Sequence, residues 1–329
     1  MAKIKRNINR NITKLYLIGI VFLLLGGCGK NEKINTLTGS TMGTTWTVKT
    51  IGNRVISRQA VDARLVAINQ IFSTWEAKSE LSLLNKKPVQ QWISVSDELF
   101  YVLKKSKEIY QQTHGYFDPG IGRLIDIWGF GVNKVAQKPS RYQVKKALYN
   151  SSIRYLALKD GTNKAVKKIR DIHINLSAIA KGYAVDEIAK LLNIKNYLVE
   201  IGGEVRSRGK HNGKPWVLGI ERPNNPTPIA IKPNNQSIAT SGNYRNYFIW
   251  EGQRYMHILN SNTGFPANSD LASVSVLHSQ TMKADAYATA MMAMGNKKAT
   301  ALAKRLNLSV ILILNQRANF KINKINFLY

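Results

Sequence analysis

Two polar side chains stand in a run that holds almost no others. Asp285 and Thr289 lie four residues apart in DAYATAMMAMG, among Ala284, Ala286, Ala288, Ala290, Met291, Met292, Ala293 and Met294. Read as a helix, the run has no polar face, so it is buried, and a carboxylate on it needs a partner or a cation. Residues four apart project from one side of a helix. Carboxylate plus hydroxyl suits a hard cation such as Mg²⁺, which takes oxygen ligands and keeps waters for a phosphate substrate. The pair equally suits a plainer role, with Asp285 capping the helix start and Thr289 bonding its own backbone.

A second candidate is NLSAIAKGYAVDEIAK (Asn175–Lys190), which reads as a strand end, a turn of small residues and a helix. Ser177, Ala178, Ala180 and Gly182 let the backbone approach a ligand closely, and a helix start offers free N–H groups to an anion. Tight strand-to-helix packing explains the same residues. His257 is one of five histidines, with His114, His173, His211 and His278, and no two have the spacing of zinc ligands. Followed by Asn260-Ser261-Asn262-Thr263-Gly264, it suits an acid–base or phosphate contact, or a structural role. Trp75, Tyr116, Phe117, Trp128 and Phe130 suit stacking on a flat ring, or core packing. Gly202-Gly203 marks a turn or bulge. No nucleophile elbow, phosphate-binding P-loop or dinucleotide fingerprint is present.

The elements that must hold these residues alternate in type. TTWTVKTI (Thr44–Ile51) reads as a strand, and Val61, Leu65, Ile68 and Phe72 recur at helical spacing. FSTWEAKSELSLLN gives a loop and a short helix. The next helix carries Leu99, Val102, Leu103, Ile109 and Tyr110, and Gly115 is expected at its C′ position. GYFDPGIGRLIDIWGFG has no clear period. IRYLALKD, DIHINL, YLVEI, EVRSRG, WVLGIERP, LASVSVLH and LSVILIL read as strands, and NYFIW with RYMHIL as a hairpin. Single helices among antiparallel hairpins predict an α+β fold.

The chain has 329 residues, 44% hydrophobic and 20% charged, a globular composition. Residues 1–27 read as a signal peptide: Lys3, Lys5, Arg6, Arg10 and Lys14 precede the apolar run Leu15–Leu25. Leu25-Gly26-Gly27-Cys28 resembles a bacterial lipobox, so Cys28 is the expected lipidation site; an uncleaved anchor is the alternative. Residues 28–38 read as the lipidated Cys and a polar tether, and 39–329 as the functional domain. Cys28 is the only cysteine, which excludes an internal disulfide, a thiolate zinc site and any other cysteine nucleophile. Net charge falls from +29 to +24 without the leader, which holds five basic and no acidic side chains. The basic residues are scattered, which favours a solvated surface over a nucleic-acid site.

Together and in order, TMGTTW, FSTWEAKSELSLLN, GYFDPGIGRLIDIWGFG, NLSAIAKGYAVDEIAK, YLVEIGGEVRSRG, GIERP, ATSGNYRNYF, MHILNSNTGFP, LASVSVLH and ADAYATAMMAMG resemble the ApbE-type FAD:protein FMN transferases along nearly the whole mature chain. The resemblance implies an α+β body with a flavin cleft. It implies an enzyme that cleaves FAD with Mg²⁺, releases AMP and leaves FMN on a Thr or Ser of a target protein as a phosphoester. By resemblance, Ala178 (through its carbonyl), Asp285 and Thr289 bind Mg²⁺; Met42, Trp75, Tyr116, Phe117, Asp118, Asn175, Lys181 and Leu259 contact FAD; His257 and Asp285 serve the transfer. The implied partners are extracytoplasmic redox subunits that accept flavin.

Two positions depart from the family pattern as this resemblance gives it. Asn175 stands where many members have Asp, and Asn260 where many have Asp before a Pro, here Ser261. Asn keeps hydrogen-bonding capacity without charge. The alternatives to transfer are an FAD pyrophosphatase that frees FMN and AMP, and a lipoprotein that binds FAD without chemistry.

Overall fold

The computed structural model describes residues 32–327 except 53–55, 133, 134, 136, 224, 244–246, 251, 317 and 318. The leader and Cys28 lie outside the described residues. One eight-stranded sheet organises the rest. Its strands are β1 (Ile34–Thr41), β2 (Thr44–Ile51), β3 (Tyr197–Ile201), β4 (Glu204–Arg208), β5 (Ser237–Gly242), β6 (Leu271–His278), β7 (Ser309–Gln316) and β8 (Asn319–Ile325). They neighbour one another in chain order, every pair antiparallel. Between β2 and β3 the chain inserts α1 (Arg58–Phe72), α2 (Glu80–Lys86), α3 (Asp97–Gln112), α4 (Gly122–Ile127), α5 (Arg141–Tyr149) and α6 (Ala180–Leu192). Helices α7 (Thr281–Met294) and α8 (Asn296–Arg305) connect β6 to β7. This is the α+β architecture expected from the sequence.

The period of two in the strands sorts residues between two layers. Val310, Leu312 and Leu314 of β7 enter the main core with Ala284, Ala288 and Met291 of α7 and with Val185 and Ile188 of α6. Ile311 and Leu277 face the other way, against Ile220 and Ile231 of the hairpin Leu218–Arg222/Asn225–Ile231. Because α7 is covered by the sheet, α6 and α8, its apolar circumference is accounted for. A third cluster, Ile121, Leu124, Trp128, Val144, Ala147 and Leu259, holds α4 and α5 together.

Local expectations fail where short-range bonding overrides pattern. The polar tether expected at 28–38 gives up its last residues to β1, which pairs with β2 from Ile34↔Ile51 to Thr41↔Thr44. DIHINL is not a strand beyond one bridge from His173 to Ile121. Its polar backbone turns elsewhere: Asn85 both donates to the Ile174 carbonyl and accepts from its N–H, each at 2.8 Å. Helix α4 lies inside the segment without a clear period, being only six residues long. Helix α5 has no counterpart among the expected elements, though a Ser140–Gln143 capping box marks its start. At the end of α3, His114 rather than Gly115 is C′: His114 N–H bonds the Gln111 carbonyl and Gly115 N–H that of Tyr110.

Candidate active site

A cavity of about 870 Å³ opens where the N-termini of α6 and α7 meet the β3–β4 turn and the end of β5. Trp75, Tyr116, Phe117, Asp118, Asn175, Ala178, Lys181, His257, Leu259, Asp285 and Thr289 all line it. Residues far apart in the sequence thus share one cleft. Met42 is not among them. It occupies the two-residue β1–β2 turn with Gly43, at φ of 50° and 72°, and its side chain packs partly buried on the main core.

The floor begins at Asp118 and Asn175. Asp118 Oδ1 accepts the N–H groups of Gly120 (2.8 Å) and Ile153 (2.7 Å). Burial nevertheless pushes this carboxyl up to about 6, against the pull of those donors. Asn175 donates its N–H to the Pro119 carbonyl at 2.8 Å, while its side-chain oxygen accepts from Ser177 N–H at 2.9 Å. That turn requires an acceptor, which Asn supplies as well as Asp. It delivers Ala178 and Lys181 to the cleft at the head of α6.

Helix α6 then meets α7 at very short range. A Cβ on Gly182 would sit 2.5 Å from the Thr281 carbonyl oxygen and 2.7 Å from Met282 Cα, so only glycine fits. Gly182 N–H donates to Asp285 Oδ2 at 3.1 Å. Asp285 is 3% exposed and is the fifth residue of its helix, so it does not cap α7; it caps α6. Thr289 Oγ1 lies 3.1 Å from Ser241 Oγ on β5. The simple reading of both residues as local helix-end bonding is therefore not what the structure has.

Beside Asp285, Lys181 Nζ lies 2.6 Å from Glu204 Oε1. Glu204 follows the Gly202–Gly203 turn, whose φ values of 59° and 97° suit glycine. Its other oxygen, Oε2, is buried without a hydrogen-bond partner. Burial drives both the Glu204 and Asp285 carboxyls up, although Lys181 opposes this in each case. Lys181 is penalised by burial, but the Asp285 and Glu204 charges outweigh that and raise it. Lys181 thus pairs with Glu204 while Asp285 feels its charge from further off, and one Glu204 oxygen lacks a partner.

That imbalance is a physical test of whether a cation fits. Asp285, Thr289 and Ala178 line the same cavity and offer oxygen donors alone, the donor type that a Mg²⁺ ion takes. Among the described residues no three His, Cys, Asp or Glu side chains gather as ligands. A cation that uses one or two carboxylates and keeps its waters fits this arrangement; zinc does not.

The remaining walls are aromatic. Trp75 is 65% exposed at the cleft, Phe117 is buried, and Lys298 Nζ lies 4.9 Å from the ring centre of Tyr116. His257 meets Phe130 edge-on at 6.4 Å. Trp128 packs in the α4–α5 cluster, its indole N–H on the Gly264 carbonyl at 2.8 Å. Sequence reasoning missed Glu204, visible there only as the residue after a turn, and Asp186. The latter accepts from Thr281 N–H (3.0 Å), Met282 N–H (3.0 Å) and Thr281 Oγ1 (2.9 Å), and pairs with Arg206 at 2.6 Å. The available signal was spacing: Gly182, Asp186 and Ala189 fall on one side of α6.

Comparison with known proteins matches residues 42–312 to the model of the ApbE family. A FAD:protein FMN transferase of Haemophilus influenzae is 35% identical, with 91% of each chain covered. One from Vibrio cholerae is 36% identical over 91% of this chain and 93% of its own. Among solved structures, the flavin transferase ApbE from Vibrio cholerae superposes with a TM-score of 0.82 at 33% identity, covering 89% of this chain and 97% of its own. The apo flavinyl transferase ApbE of Pseudomonas stutzeri gives 0.82 at 30% identity, covering 89% and 95%.

Proposed function

The chain belongs to the ApbE family, and we propose from that premise a reaction and a set of roles for its cleft. It is an FAD:protein FMN transferase, moving the FMN half of FAD onto a target protein. The observation that carries the assignment to this cleft is the meeting of Lys181, Glu204, Asp285 and Thr289 beside Trp75, Tyr116 and Phe117 in one cavity.

In our reading the acceptor is a Thr or Ser hydroxyl. Its oxygen attacks the phosphorus on the FMN side of the pyrophosphate, forming a phosphoester. The bond from that phosphorus to the bridging oxygen breaks, and AMP leaves with the bridging oxygen. Asp285, Thr289 and the Ala178 carbonyl would hold Mg²⁺, whose contribution is to neutralise phosphate charge. Lys181 lies against the phosphates, and Glu204 holds its ammonium in place. Trp75, Tyr116, Phe117, Asp118, Asn175 and Leu259 bind and orient the flavin nucleotide. We assign His257 to receive the hydroxyl proton, a role imidazole suits near neutral pH.

We further propose that the domain acts outside the cytoplasmic membrane, tethered by lipid on Cys28, on redox subunits exposed there. The support is the leader and lipobox pattern. The test is to mix full-length protein, FAD and Mg²⁺ with membranes from parent cells lacking this gene. A fluorescent flavin band on a denaturing gel is expected. Free FMN and AMP without a band would establish a pyrophosphatase; FAD binding without AMP release would establish a flavin carrier.

A further inference from the structure

Helices α1, α2, α3 and α5 each begin with a serine whose Oγ accepts a backbone N–H of the first turn: Ser57, Ser79, Ser96 and Ser140. Helices α6 and α7 do not. Their N-cap residues, Ile179 and Gln280, make no side-chain cap bond. Each helix is capped by the other instead. Asp285 of α7 accepts from Gly182, the third residue of α6, and Asp186 of α6 accepts from Thr281 and Met282, the first two residues of α7. Gly182 removes the side chain that would keep the two apart.

We propose that Asp186 is a positioning residue for the reaction: by fixing the start of α7 on α6, it sets where Asp285 stands in the cleft. The geometry gives this more content than helix capping alone. Asp186 and Asp285 are the two ends of one clamp, so the register between the helices depends on both. The clamp is also tied to the sheet. Thr281 Oγ1 donates either to Asp186 or to Ser237 Oγ of β5 (2.7 Å), and Arg206 of β4 bonds both Asp186 and the Ser279 carbonyl. With Asp186 gone, α7 keeps its core packing and the Thr281–Ser237 and Thr289–Ser241 contacts to the sheet, but loses the bonds that tie its first two residues to α6. The Gly182 N–H bond to Asp285 is then the one remaining end of the clamp between the two helices. Groups bonded directly to a metal ligand contribute about 10–100-fold to metal affinity, and Asp186, acting one step further off through α7, is assigned the low end of that range. The inference rests on the cation reading given above.

The test separates register from capping. Gln280 is extended at φ −122°, ψ 125°, a geometry in which Asp can cap α7 from its own chain. Full-length protein is compared with Asp186→Ala, Asp186→Asn and the double variant Asp186→Ala/Gln280→Asp, with Gln280→Asp as reference. Two quantities are read: the melting temperature, and Mn²⁺ affinity by electron paramagnetic resonance with FAD present. Asp186→Ala should melt lower and bind Mn²⁺ about tenfold more weakly. Asp186→Asn, which keeps one acceptor oxygen, should lie between. The double variant should recover melting temperature yet still bind Mn²⁺ weakly. Recovery of both, or wild-type Mn²⁺ affinity in a folded Asp186→Ala protein, would overturn the positioning role and leave the cation site standing. Absence of Mn²⁺ binding in the wild type would instead overturn the cation reading, and this inference with it.

Discussion

Gly182→Ala puts one methyl group into the contact on which the site is built. The new Cβ would lie 2.5 Å from the Thr281 carbonyl oxygen, and ordinary contact begins at 3.4 Å. Both nearest neighbours are backbone, so no rotamer change relieves the clash, and the helices must part by ~0.9 Å, a strain of overpacking. Gly182 N–H would then stand roughly 4 Å from Asp285 Oδ2 instead of 3.1 Å, beyond hydrogen-bond reach. Overpacking costs about 1–3 kcal/mol and loss of a charged hydrogen bond about 1.5–3 kcal/mol, offset by about 1 kcal/mol from replacing Gly with Ala in a helix. The net is about 1.5–5 kcal/mol, or a fall in melting temperature of several degrees to about 15 °C. Displacement of a reacting group by about 1 Å lowers rate by about 100-fold. Differential scanning calorimetry and an FMN-transfer time course measure the two effects. Gly161→Ala, with nothing within 4 Å of the new Cβ, is the control. A Gly182→Ala protein that melts with the wild type and transfers FMN within a factor of two would refute the argument that helix separation sets the site.

Asp285→Asn keeps size and removes charge; transfer should be lost at ordinary Mg²⁺ while FAD still quenches protein fluorescence, and Thr289→Ala should do less, because water replaces a neutral ligand. Asp118 supplies a pH signature. Its carboxyl is raised to about 6 in the fold from the ordinary 3.8, so the folded state holds the proton more tightly. The associated stability is therefore full below pH ~3.8 and lost as pH rises through ~6, by about 3 kcal/mol. Asp118→Asn should flatten that part of the melting-temperature profile, and an unchanged slope between pH 4 and 6 would contradict it. Cys28→Ser should abolish fatty-acid labelling in cells and release the protein from the membrane fraction; continued labelling would refute the lipobox reading.

Sequence was informative where chemistry and periodicity coincide. The predicted residues that meet in the cleft come from motifs with unusual local composition. Strand β6 has the ends that LASVSVLH predicts, Leu271–His278, because polar residues bound its apolar and small residues on either side. Sequence was silent where the partner is distant. Nothing adjacent to Asp186 shows that its carboxylate serves the first turn of α7, 95 residues away. Glu204 likewise looks like any strand-start carboxylate until Lys181 is brought against it. Met42, which the resemblance assigns to flavin contact, sits in the left-handed β1–β2 turn, partly buried on the main core and outside the residues that line the cavity. The edge strand β8, NFKINKI, alternates polar and apolar from Asn319 to Asn323, a signal in the sequence that the expected elements leave out.

The central claim is that this cleft divides FAD between a protein and AMP. It is tested most directly by measuring both products in one reaction. Full-length protein, FAD and Mg²⁺ are incubated with membranes from cells lacking the gene, AMP is quantified by chromatography, and covalent flavin by fluorescence after denaturation. One AMP is expected for each FMN attached, with both products absent in Asp285→Asn. AMP accompanied by free FMN and no attached flavin, or attached flavin without AMP, would contradict it.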